Sequence, residues 1–143
     1  MSAFLLSVHV IAAILAVGPI AVAASMFPRY ATASAGVDGQ GRPAAMLLHR
    51  ICRVYAAVAL AVPVAGFATA VSMGVLGDAW VLVSIALTAA AAVVLIAFVL
   101  PGQRAALDGA TATRLAMATG MFNLLWVVVT VLMIVRPGSS TGV

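Results

Sequence analysis

The sequence contains no lysine and no glutamate. Its formal charges are seven Arg and three Asp, 7% of 143 residues, where an ordinary soluble domain carries about 25%. Such a chain cannot clothe a water-facing surface in charge, which excludes a soluble monomer. A lone cysteine, Cys52, excludes an internal disulfide. Together with the two histidines, His9 and His49, it falls short of the four Cys/His ligands that a structural zinc site uses. No phosphate-binding Gly-rich loop, dinucleotide-binding, zinc-protease or nucleophile-elbow motif is present. No carboxylate lies within an apolar run, which argues against a carboxylate-based proton or cation pump. No catalytic residue is assigned.

The scarcity of charge also decides how to read the basic pI of about 10.7. A nucleic-acid footprint needs Lys and Arg clustered on one solvated face. Here the arginines stand singly or in one short group at the edges of apolar runs, as membrane proteins place them.

What the chain has in abundance is apolar sequence: 66% of its residues, with a mean hydropathy of +1.28. A bilayer core about 30 Å thick needs about 20 apolar residues of helix, and four runs reach that length. They predict helices over 4–27, 46–76 (with Val54–Leu76 its uninterrupted apolar part), 79–100 and 115–135. None alternates like a strand, and backbone in lipid must satisfy its own hydrogen bonds, so the expected fold is all-α. It is a polytopic four-transmembrane-helix bundle forming one domain over 1–136, with a disordered tail over 137–143. Ala21-Val22-Ala23 resembles a signal-peptidase site, but no charge precedes Arg29 and the run is long, so an uncleaved first helix is expected.

Pro28 to Pro43 reads as a flexible Gly-containing loop, Gly77-Asp78 as a tight turn, and Pro101-Gly102 as a helix stop. Arg29, Arg42, Arg50, Arg53, Arg104 and Arg114 flank the first and third loops, while Asp78 holds the second. The positive-inside bias puts those two loops in the cytoplasm and both termini outside. Pro63 and Gly66 should bend the second helix. Trp80 reads as an interfacial anchor, and Trp126 as an interior residue.

Small residues permit the close helix contacts that lipid cannot drive by the hydrophobic effect. Candidate stripes are His9, Ala12, Ala16 and Ala23; Ala57, Ala61, Ala65 and Thr69; Ser84, Thr88 and Ala92; and Gly120, Asn123 and Thr130. Asn123 and Thr88 are the expected interhelical polar contacts.

An ionisable residue inside a membrane helix is a functional candidate by default. His9 could ligate haem, relay protons or bond a partner group; the plainer alternative is a neutral ring bonded to a nearby carbonyl or Thr. His49, Arg50, Arg53 and Tyr55 gather at the start of the second helix. Arg forks there suit a lipid headgroup, a propionate or a partner's acid, and simple snorkelling is the alternative. Cys52 lies beside the same arginines and reads as a small buried residue or an activated thiol. His9 and His49 cannot clamp one haem. His9 to Phe27 alone spans about 27 Å of helix, whereas two axial ligands stand about 4 Å apart.

Several short stretches resemble a superfamily of small bacterial membrane proteins. It includes HemJ-type protoporphyrinogen oxidases, copper-resistance D-like proteins and a four-helix group of unknown function. The matching residues are Val8-His9-Val10-Ile11, Gly18, Phe27-Pro28-Arg29-Tyr30, Arg50, Arg53-Val54-Tyr55, Pro63 with Gly66, Trp80, and Val135-Arg136-Pro137. The resemblance implies a bacterial inner-membrane protein and a haem-associated role for His9. The Lys that the oxidases carry four residues after a Trp is Ser84 here, which sets the chain closest to the group of unknown function and away from an enzyme.

The expected function is therefore a non-catalytic integral membrane subunit or accessory protein, embedded in the lipid bilayer within a homo-oligomer or a larger membrane complex. The alternative is a haem b or porphyrin-binding redox protein using His9, with Ala12, Ala13 and Ala16 opening a slot for the ring.

Overall fold

The computed structural model describes residues 2–34 and 41–139. Among them there is no strand. The chain is an all-α four-helix bundle, and each of its four spans is long and apolar enough to cross a membrane. Span one is α1, Ser2–Ser34. Span two comprises α2, Gly41–Ala59, and α3, Ala61–Met73, with the break at Leu60. The break falls three residues before Pro63, whose ring has no N–H to return to Ala59. Span three joins α4, Ala79–Val93, through a π-helical turn, Val94–Val99, to α5, Leu100–Leu107. Span four is α6, Thr113–Val135.

The helix ends differ from the sequence-based expectation, and tertiary packing explains why. Helix one does not stop at Phe27: it runs through Pro28 to Ser34. Phe27 and Ala31 are buried in one cluster with Ala45 of α2, so this extra turn is held against its neighbour. Helix two accordingly begins at Gly41, inside the expected loop. The rest of that loop, 35–40, lies outside the described residues. Helix three does not stop at Pro101 either. In the π-helical turn the Leu100 N–H bonds the Leu95 carbonyl, one residue further back than in an α-helix. The wider turn accommodates the proline ring, which would otherwise press on the carbonyl four residues earlier. Helix two stops at Met73, short of Leu76, because Gly74 takes a left-handed φ of 69° and its N–H and that of Val75 close on the last carbonyls. In the expected tail, Pro137–Ser139 form a turn in which the Ser139 N–H bonds the Arg136 carbonyl at 3.0 Å; 140–143 lie outside the described residues.

The bundle is two helical hairpins side by side. α1 packs along α2 and α3, and α6 packs along α4 and the π-helical turn. The hairpins meet through α1 with α6 and α2 with α5. The core is narrow and rich in small side chains, with Phe27, Phe122, Ile20, Leu95 and Leu115 as its largest apolar members. Leu, Val, Ile, Met and Phe side chains cover much of the outer surface, as lipid-facing helices require.

The small-residue stripes are partly reassigned. His9, Ala16 and Ala23 are buried as expected. Ala57, Ala61, Ala92, Gly120 and Thr130 are exposed. Thr69 and Ser84 are buried as expected too; the rest of the buried faces runs through Val81, Ala91 and Leu95 in span three, and through Leu115, Thr119, Phe122 and Val129 in α6. When both lipid and interior are apolar, helical periodicity distinguishes them poorly.

At the Asp78 end, the Asp78 carboxylate accepts the Trp80 indole N–H at 3.1 Å. The Arg136 guanidinium lies 5.7 Å from the Trp80 ring centroid. This polar knot ties the start of α4 to the end of α6.

Candidate functional site

His9 is 7% exposed. Its Nδ1 lies 3.0 Å from the Val62 carbonyl. A carbonyl can only accept, so Nδ1 carries the proton and a neutral ring keeps its lone pair on Nε2. The ring lies over Gly66, where an added Cβ would stand 2.7 Å from His9 Cε1 and 3.1 Å from Nδ1. Glycine at 66 is thus what lets α1 and α3 approach at this level, and His9 is the plug between them. The ring is bonded to a neighbouring carbonyl, the plainer of its two sequence readings.

A haem would need an open slot at Nε2 and cations for its propionates. The imidazole is packed against α3, Ala16 is buried, and Ala12 and Ala13 are half-buried. Val62 lies about 14 Å of helix rise beyond Arg53 and about 18 Å beyond Arg50, so those arginines stand toward the other end of the span, on the far side of the break at Leu60. The residues present do not fit a haem here.

At the Arg-rich end, Gln103 is fully buried. Its Nε2 donates to Cys52 Sγ at 3.4 Å, and its Oε1 lies 2.8 Å from His49 Nδ1. The amide oxygen can only accept, so His49 holds its proton on Nδ1 and turns Nε2 to other partners. Cys52 is buried and bonded in this network, which makes it a structural thiol. Nearby, Arg42 Nη1 donates to the Leu107 carbonyl at 2.7 Å, closing the C-terminal end of α5 with a cation.

His49 lines an open cleft of about 440 Å³ between α2 and span three, together with Arg53, Ile96, Leu100, Pro101, Arg104, Ala105 and Asp108. Of the four residues expected to group here, His49 and Arg53 line the cleft. Arg50 is exposed outside it, and Tyr55 is half-buried against the core. Arg104, Asp108 and Gln103 were missed because Pro101-Gly102 read as a helix stop and placed them in a loop. The charge pattern already put Arg104 at the same end as His49 and Arg53; a helix carried through Pro101 would also have set Gln103 and Arg104 on one helix beside α2.

A second cavity, about 190 Å³, lies between α1 and α6, lined by Ala24, Ser25, Pro28, Ala116, Thr119, Gly120 and Asn123. Asn123 Nδ2 donates to Ser25 Oγ at 3.1 Å across the two helices, the interhelical contact expected of Asn123. Thr88 makes no such bond among the described residues; it is half-buried on α4. Three buried polar atoms of α6 have no partner among the described residues: Thr119 Oγ1, Asn123 Oδ1 and Trp126 Nε1. Thr119 is buried, and its hydroxyl has no partner among the described residues. Thr69, Ser84 and Thr130 each return their hydroxyl to a carbonyl one turn back, at 2.7–2.8 Å.

Comparison with protein-family models, with curated proteins and with solved structures gives no match. No group of three or more potential metal ligands occurs among the described residues.

Proposed function

We propose that this protein is a non-catalytic integral membrane subunit that assembles with a second copy of itself through the face formed by α1 and α6. The observation that carries this reading is the unpaired polarity of that face. Thr119 Oγ1 and Asn123 Oδ1 are buried without partners beside a crevice. An unsatisfied buried group costs about 1–3 kcal/mol, and lipid offers it no hydrogen bond.

The donors and acceptors of the face complement one another. The Ser25 hydroxyl accepts from Asn123 and finds no acceptor for its own hydrogen among the described residues. Asn123 keeps a free acceptor oxygen. In a two-fold assembly the contact from one protomer to its partner is repeated in reverse. The exposed Ser25 hydroxyl of each copy then lies against the other copy, at the crevice beside Thr119 and Asn123. Ala24, Ala116 and Gly120 give the close backbone approach that such contacts need, and a Cβ at Gly120 would meet nothing within 4 Å.

The membrane is the bacterial cytoplasmic membrane in this reading, with both termini outside. Support comes from six arginines at the end of the bundle that joins spans one and two and spans three and four, against Asp78 and Arg136 at the other. The likeness to the HemJ-like and copper-resistance D-like superfamily belongs to the same proposal, with the members of unknown function as the nearest kind.

The test is the mass of the protein extracted in a mild detergent. A particle of two 14.4 kDa chains that becomes single when Ser25→Ala and Asn123→Leu are combined supports self-assembly. A single chain carrying a different membrane protein would favour the larger-complex form. A clean single chain would remove the proposal.

The rival, a haem-binding redox protein, keeps one point in its favour. A histidine whose Nδ1 is fixed by a carbonyl is the usual arrangement for ligation through Nε2. The packing of His9 on Gly66 places it second. A Soret band in the purified protein that is lost in His9→Ala would reverse that order.

A further inference from the structure

The cleft at the Arg-rich end is independent of the assembly face, and its chemistry is of two kinds. Ile96 and Leu100, from the π-helical turn and the start of α5, form an apolar wall, with Ile96 59% exposed. His49 and Arg53 from α2, and Arg104 from α5, supply the polar end. We propose that this cleft holds one anionic phospholipid, its phosphodiester between Arg53 and Arg104 and an acyl chain along Ile96 and Leu100.

Two guanidinium groups from different helices suit one phosphate, because each fork presents paired N–H donors to its oxygens. Basic pockets between transmembrane helices at the membrane interface are a known way of holding phospholipid headgroups. Asp108 also lines the cleft, so Arg53, Arg104 and Asp108 leave a formal charge of +1 that one phosphodiester neutralises.

The remaining polar groups define the rest of the headgroup. Gln103 Oε1 holds the His49 proton on Nδ1 and leaves Nε2 as the ring nitrogen free for a hydroxyl. The Asp108 carboxylate is a second acceptor. Neither favours the phosphate itself; both favour hydroxyl groups beyond it. A glycerol headgroup brings a phosphodiester of charge −1 together with hydroxyl donors, and phosphatidylglycerol is therefore the matching probe. Arg50, three residues from Arg53 on the same helix but outside the cleft, provides an internal control of equal charge.

The experiment is native mass spectrometry of the full chain titrated in detergent with phosphatidylglycerol or phosphatidylcholine. One phosphatidylglycerol should bind in preference to phosphatidylcholine. Arg53→Gln and Arg104→Gln should each weaken it about tenfold, the scale of a lost charge-assisted hydrogen bond, while Arg50→Gln leaves it unchanged. Arg104→Lys, which keeps the charge and loses the fork, should be intermediate. Equal binding of the two lipids, or an equal loss with Arg50→Gln, would overturn the site. Displacement of the lipid by millimolar inorganic phosphate would assign the cleft to a soluble phosphate and overturn the lipid assignment.

Discussion

The imidazole of His9 occupies the space in which a side chain at Gly66 would begin. A Cβ there would lie 2.7 Å from Cε1, closer than packed carbons tolerate. The same ring bonds the carbonyl of Val62, one turn earlier on α3. A histidine and a glycine in different spans thus form a single fitted joint, and His9 serves first to register α1 against α3.

Gly66→Ala should therefore destabilise the protein by about 1–3 kcal/mol, the usual cost of overpacking, by pushing His9 off the Val62 carbonyl. His9→Ala opens space at the same point. Denaturant unfolding in detergent of the two single variants and the double variant should show a combined loss smaller than the sum, since neighbouring sites couple. Strict additivity would mean that the two residues do not share this joint.

The four spans were legible because bilayer thickness sets a length that a soluble core does not. Their ends were not. Pro28 and Pro101 carry local stop signals, yet Phe27, Ala31 and Ala45 pack together beyond the first, and the π-helical turn accommodates the second. Reading Pro101 as a stop hid Gln103, the residue that links Cys52 to His49. Asn123 was legible as an interhelical contact because amides are rare in such runs; its partner Ser25 was not, because nothing local pairs α1 with α6.

Gln103→Leu should cost about 1–3 kcal/mol, because Nδ1 of His49 loses its buried acceptor. Thermal unfolding checks this. Cys52, which is fully buried, should resist a maleimide reagent in the folded protein and react once the chain is unfolded. Prompt labelling of the native protein would contradict the packing around Gln103.

Arg136→Ala removes the cation over Trp80 and should lower stability by about 0.5–1 kcal/mol, as read from the unfolding midpoint. Asp78→Ala in the same background should add a further loss, because Trp80 then loses its hydrogen-bond acceptor too. If neither variant shifts the midpoint, this end of the bundle is not tied by the knot.

A reporter at the C-terminal end tests the orientation. Alkaline phosphatase, active outside the cytoplasm, should be active when fused there, and a cytoplasmic reporter should be silent. The reverse pattern would put the six arginines on the outer side and contradict the charge reading.

Self-association through α1 and α6 is tested most directly in the membrane itself. Gly120→Cys places a thiol on that face at a position with open space around it, and Val64→Cys places one on α3, where residue 64 is 70% exposed to lipid. Under mild oxidation in intact membranes, the account predicts a covalent two-chain species for Gly120→Cys and none above background for Val64→Cys. Equal cross-linking at both positions, or none at Gly120→Cys, would contradict assembly through this face.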